Sequence, residues 1–151
     1  MIRCSTIVHI EESVQIARPA AEVWDAIADY GFDLRWRKGL VEMTPDPPGP
    51  PTVGTQVHEV VRSTGRDFVA DTVVTDLEPG ISYRFAGTGT IGGLAGGRRV
   101  RADRQENGAV FTYEINLRPR GRMRLLGPLL RQIVRSGLRK DLRRLKALLD
   151  A

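Results

Sequence analysis

Two histidines, one cysteine and five serines are the residues of this 151-residue sequence best suited to binding a metal or attacking a substrate. Their spacing argues against both roles. His9 and His58 stand about 50 residues apart, with no CxxC, HxxxH or carboxylate cluster beside either, so no metal site is expected. Ser5, Ser13, Ser63, Ser82 and Ser136 lack the strand-to-helix elbow that exposes a nucleophile, and Cys4 sits at the start of the sequence. No catalytic residue is therefore assigned. Gly87-Thr-Gly89-Thr-Ile-Gly92 satisfies the GxGxxG pattern, but a pyrophosphate cradle needs a helix after it, and here an arginine-rich strand follows. No GK[ST] accompanies it, so no cofactor is expected and TGTIGGLAGG reads as a flexible glycine loop.

What remains are groups that orient a ligand rather than attack it. Tyr83 and Tyr113 join apolar rings to hydroxyls that seek partners when buried, the kind of group that fixes a molecule in an apolar pocket; plain sheet core is their other reading. Trp24 reads as core, and Trp36, in a less regular segment, as a lining residue at a cavity entrance. His58 faces either a cavity, as a polar contact, or solvent. Glu59, Asp71 and Glu114 lie in strands between apolar neighbours, where an inward carboxyl would have a raised pKa and could move protons; alternation places them outward more easily.

These residues need elements to hold them. STIVHIEESVQIA (5–17) alternates in parts and predicts a first strand with a bulge at Glu11-Glu12. RPAAEVWDAIADYG follows as a short amphipathic helix started at Pro19 and stopped at Gly31, then FDLRWRKG as a second short helix carrying Phe32 and Trp36. LVEM (40–43) is a short strand ended by the surface loop PDPPGPP. TQVHEVVRS (55–63) and DFVADTVVTDLE (67–78) form a hairpin, and ISYRFAG (81–87) places Ile81, Tyr83 and Phe85 on one face. RRVRADRQE (98–106) and AVFTYEINLRP (109–119) flank an Asn107-Gly108 hairpin turn. The last stretch, from Pro128 with a lead-in over 122–127, predicts a helix of about 22 residues and about 33 Å. Its wide apolar stripe includes Leu130, Ile133, Val134 and Leu138, with Gly137 in the middle. Consecutive antiparallel strands have one apolar face to cover, and this helix is the only large cover available.

Length fits one domain over residues 1–151. A lone cysteine, no apolar leader and no run of about 18 apolar residues fit a cytoplasmic protein. The net charge of +5 is unevenly spread: residues 118–146 hold 11 of the 23 basic residues and one acid, Asp141, giving +10 there and −5 elsewhere. Arg131, Arg135, Arg139 and Arg143 form an i,i+4 row that could meet an anionic surface; a solvated helix face is the plainer reading. The row lacks aromatics for base stacking, so no specific nucleic-acid partner is expected. Monomer and homodimer stay open.

The order of elements, with SVQIARPAAEVWDAIADYGFDLRW at 13–36, Gly54 opening a strand and LRRLKALL at 142–149, resembles the polyketide cyclase/dehydrase family of the START and Bet v 1-like superfamily. That resemblance implies an α+β helix-grip fold: a curled seven-stranded antiparallel sheet around a long C-terminal helix, with two short helices after the first strand. It implies an apolar cavity between sheet and helix for a hydrophobic small molecule, a lipid or polyketide-like compound. The lining expected is Phe32 and Trp36 from the short helices, His58, Tyr83, Phe85, Tyr113 and Ile115 from the sheet, and Leu130, Ile133, Val134 and Gly137 from the helix. An aromatase/cyclase, promoting enolisation and ring closure by orientation in a dry pocket, is the alternative function. A protein docking through its basic helix is the third.

Overall fold

A computed structural model describes residues 7–104 and 107–151. Cys4, and residues 105 and 106 at the end of the expected strand 98–106, lie outside the described residues. Seven strands form one antiparallel sheet: β1 (Val8–Ile16), β2 (Leu40–Asp46), β3 (Gln56–Ser63), β4 (Arg66–Glu78), β5 (Ser82–Gly89), β6 (Gly92–Asp103) and β7 (Gly108–Pro119). Their spatial order is β1-β7-β6-β5-β4-β3-β2, a meander whose first strand closes onto its last. Between β1 and β2 come α1 (Ala20–Ile27), a single 3-10 turn (Tyr30–Phe32) and α2 (Asp33–Trp36). After β7, a second 3-10 segment (Gly121–Leu126) leads into α3 (Gly127–Asp150), which lies along β1 with Pro128 in its first turn. The curled sheet around one long helix is the helix-grip architecture.

Alternation accounts for the core. In β1, Val8, Ile10 and Ile16 point inward and are buried, Glu12 and Val14 share that face half-buried, and His9, Glu11, Ser13 and Gln15 face out. On β7, Phe111, Tyr113 and Leu117 do the same, and Leu138, Leu142 and Leu145 of α3 complete the cluster. Ile27 and Val23 of α1 and Trp36 of α2 seal one end, all with no exposed surface.

Three expectations are corrected. The Glu11-Glu12 bulge is absent: β1 pairs residue for residue with β7, Glu11 opposite Glu114 and Glu12 opposite Tyr113. β2 runs past Met43 through Pro45, which an edge strand tolerates because its missing N–H faces no neighbour. The glycine-rich stretch is mostly strand rather than loop, since β6 begins at Gly92 and pairs with β5 and β7. Glycine is needed there for close approach: a Cβ on Gly87 would run into the Asp71 carbonyl oxygen, and one on Gly96 into the Glu114 carbonyl oxygen.

Candidate functional site

The concave face of the sheet and α3 enclose a cavity of about 720 Å³, within the range of small-molecule sites. The helix wall is periodic: Leu130, Ile133, Val134, Gly137, Leu138, Lys140, Asp141 and Arg144 all face the space. Leu40, Val61, Phe68, Ile91, Leu94, Tyr113, Ile115, Leu117 and Met123 supply the larger apolar side chains of the rest. A Cβ on Gly137 would meet nothing within 4 Å. Glycine at this point widens the cavity; it does not admit a neighbouring backbone.

Of the residues expected to line it, Tyr113, Ile115, Leu130, Ile133, Val134 and Gly137 do so, and five do not. Trp36 is wholly buried against Phe111 and Tyr113, with ring centroids 6.2 and 6.4 Å away, so it is core and not an entrance residue. The reason is that α2 turns inward and seats its last side chain beneath the sheet. Tyr83 is likewise buried, edge-on to Trp24 and Tyr30, and burial pushes its hydroxyl pKa well above 10. Phe85 packs on Tyr83, and Phe32 is half-buried under the Arg35 guanidinium. His58 lies on the outer face, its Nδ1 2.6 Å from Asp71 Oδ1. That hydrogen bond raises the imidazole pKa above 6.5.

Glu59, by contrast, faces inward, because β3 alternates so that Val57, Glu59 and Val61 share the concave side. Arg37 Nη1 donates to Glu59 Oε2 at 2.7 Å and to Asp33 Oδ2 at 3.3 Å. Asp33 also accepts both Nη groups of Arg98, which is 2% exposed and donates further to the Ile27 carbonyl at 2.9 Å. Two arginines and two carboxylates thus form one chain, Arg98–Asp33–Arg37–Glu59, running from the core to the cavity wall. Burial opposes the charge on Arg98, but Asp33 beside it outweighs that, and the guanidinium stays firmly protonated. Arg98 lies 4.7 Å from the Tyr113 ring centroid and 5.3 Å from that of Trp36. Its Nη2 is 3.5 Å from the Tyr113 hydroxyl oxygen, which leaves that O–H free to donate elsewhere.

A second charged group closes the same end of the cavity. Asp141 of α3 accepts from Arg144 Nη1 at 2.7 Å and from the Lys38 backbone N–H at 3.3 Å. Burial nevertheless pushes its carboxyl pKa up. Arg37, Lys38 and Arg98 carry no site signal in the sequence, and Asp141 stands out there only as the one acid of the basic segment. Parity offers a burial signal for one: Arg98 is in phase with Val100 and so belongs on the buried face of β6. Among the described residues no cluster of His, Cys, Asp and Glu could hold a metal, and no helix is long and apolar enough to cross a membrane. Half of the basic row on α3 is engaged within the chain, because Arg135 and Arg139 pair with Glu12 at 2.7 and 3.0 Å.

Residues 8–150 match the family profile described as polyketide cyclase / dehydrase and lipid transport. The chain belongs to that family. Solved structures similar to this cyclase/dehydrase-family protein share its fold at low identity. The START superfamily protein from Mycobacterium smegmatis is 11% identical with a TM-score of 0.76, over 94% of this chain and 97% of that one. Ara h 8.0201 is 12% identical with a TM-score of 0.70, over 95% and 98%. The di-domain ARO/CYC StfQ from the steffimycin biosynthetic pathway is 15% identical with a TM-score of 0.76, over 98% of this chain but 52% of its own length. No curated protein sequence matches this chain.

Proposed function

We propose that this chain binds a hydrophobic small molecule in the cavity between sheet and α3. The observation that carries this reading is the cavity itself: about 720 Å³ of space walled mainly by aliphatic side chains, with a glycine where any side chain would shrink it. Apolar surface in such a space gains about 25 cal/mol per Å² by leaving water, so a lipid-like or polyketide-like body is the favoured guest. The family description, which includes lipid transport, supports the same class. Native mass spectrometry of gently purified protein should show a co-purified apolar mass, and uptake of the neutral fluorophore N-phenylnaphthylamine should raise its emission. Protein that is ligand-free by mass and leaves the fluorophore in water would overturn the proposal.

A second reading, cyclisation of a poly-keto chain, is favoured by Tyr113. Its hydroxyl oxygen accepts from Arg98 and its proton remains available to a ligand carbonyl, which would polarise that carbonyl toward enolisation. In this reading the apolar walls fold the chain and Tyr113 supplies the polar contact. A Tyr113→Phe variant that still takes up N-phenylnaphthylamine but no longer speeds ring closure of a synthetic poly-keto thioester would support it; equal rates with and without protein would end it.

A further inference from the structure

The wall that α3 presents to the cavity changes character along its length. From Leu130 to Leu138 it is aliphatic, with Gly137 as a gap, and from Lys140 to Arg144 it is charged. These positions span about 21 Å of helix at 1.5 Å per residue. Across the space, Ile91 and Met123 are tied through Arg120 to the turn before α3, whereas Arg37, Lys38, Glu59 and Arg62 gather beside Asp141, to which the Lys38 N–H donates, with Leu40 and Val61 among them. The cavity is therefore amphipathic lengthwise.

The charges at that end do not balance. Both carboxylates are already engaged, Glu59 by Arg37 and Asp141 by Arg144, and Arg62 is held by Asp67 at 2.8 Å. Lys38 and Lys140 stand on the rim, and neither ammonium has an acidic partner among the described residues. With Arg62 neutralised by Asp67, the lining at this end holds four further cations, Arg37, Lys38, Lys140 and Arg144, against two anions, Glu59 and Asp141, a surplus of two. We infer that the ligand is an amphiphile with an anionic head, such as a carboxylate, held by Lys38 and Lys140 while its apolar tail lies along Gly137 toward Met123 and Leu130. This inference rests on the apolar-ligand reading above and names the chemical class of its guest. The acids nearby do not repel such a head strongly, since each is neutralised by its own arginine. A neutral alcohol would leave the two ammonium groups unmatched, and an amine would add to the surplus.

The test uses the full chain loaded with N-phenylnaphthylamine and compares displacement by dodecanoate, dodecanol and dodecylamine, which share one tail. Exposed ion pairs are individually weak, so dodecanoate should displace the fluorophore at a concentration about three- to tenfold below that of dodecanol, with dodecylamine the weakest. The ratio of acid to alcohol should fall toward one in Lys38→Met/Lys140→Met, which keeps the aliphatic stems, and in wild type at about 0.5 M salt. Equal displacement by acid and alcohol in wild type overturns the inference while leaving the apolar cavity intact. An acid preference that survives the double substitution also overturns it, since the head then sits elsewhere. If the fluorophore itself is not taken up, the apolar-ligand reading falls and this one with it.

Discussion

Gly137 shows what a single residue decides in this protein. Glycine in a helix interior costs about 1 kcal/mol relative to alanine, and a Cβ there meets nothing. Gly137→Ala should therefore stabilise the fold by about 0.5–1 kcal/mol in urea titration. Gly137→Leu should keep a near wild-type melting temperature and lose fluorophore uptake, because its side chain fills the space a ligand needs. A large drop in stability would mean that the gap is a packing contact. Asp33 is the opposite case. Removing it in Asp33→Ala leaves Arg98 and Arg37 without their shared carboxylate in the interior, and breaking such buried pairs costs about 3–5 kcal/mol. Replacement of both Asp33 and Arg98 by leucine and methionine should cost clearly less in the same denaturation experiment. His58 belongs to neither class. Its proton should titrate above 6.5 by NMR, return toward that value in Asp71→Asn, and ignore ligand.

Elements show why some of this was legible in the sequence and some was not. The long helix, the β3-β4 hairpin and β7 carried enough apolar periodicity to be placed correctly, and α3 begins within a residue of Pro128. Period-2 strands hide which face is inner when valines stand in both phases, as Val57 and Val61 do against Val60 in QVHEVVRS, and alternation alone then places Glu59 outward. Glycines give no periodic signal at all, and the stretch from Thr88 to Gly97 reads as a loop although Gly92 to Gly97 pair with strands on both sides. Those glycines predict a penalty: Gly96→Val should destabilise by about 1–3 kcal/mol through forced strand separation, since its Cβ would meet both the Glu114 carbonyl and Phe85. Trp36 was misplaced because a four-residue helix has too few positions to define an amphipathic face. The α3–β1 contact adds a pH dependence. Burial works against the charge on Glu12, but the Arg135 hydrogen bond and the charges of Arg139 and Arg135 hold its pKa below 4.5. A depressed folded-state pKa contributes stability that is present above the unfolded value and lost as pH falls through the folded one. The stability gap between wild type and Glu12→Gln should accordingly close on acidification from pH 4.5 downward.

On the scale of the whole molecule, α3 is one helix in two mechanical situations. Its second half is embedded: Leu142 and Leu145 are buried, Lys146 donates to the Gln15 carbonyl, Asp150 accepts from the Ala17 N–H, and Arg18 holds the Leu149 carbonyl. Its first half borders the cavity on one side and water on the other, with Leu129 and Ile133 half exposed. Backbone amides exchange with solvent at rates set by local opening, and segments with few packed neighbours open first. Deuterium should therefore enter residues 131–137, which lie past the unbonded first turn, well before residues 142–149. A guest in the cavity would supply the missing neighbours, and protection should then even out along the helix. The cavity is in that sense a place of low local stability built into one wall, and occupancy should be readable from exchange rates even where the ligand itself carries no signal.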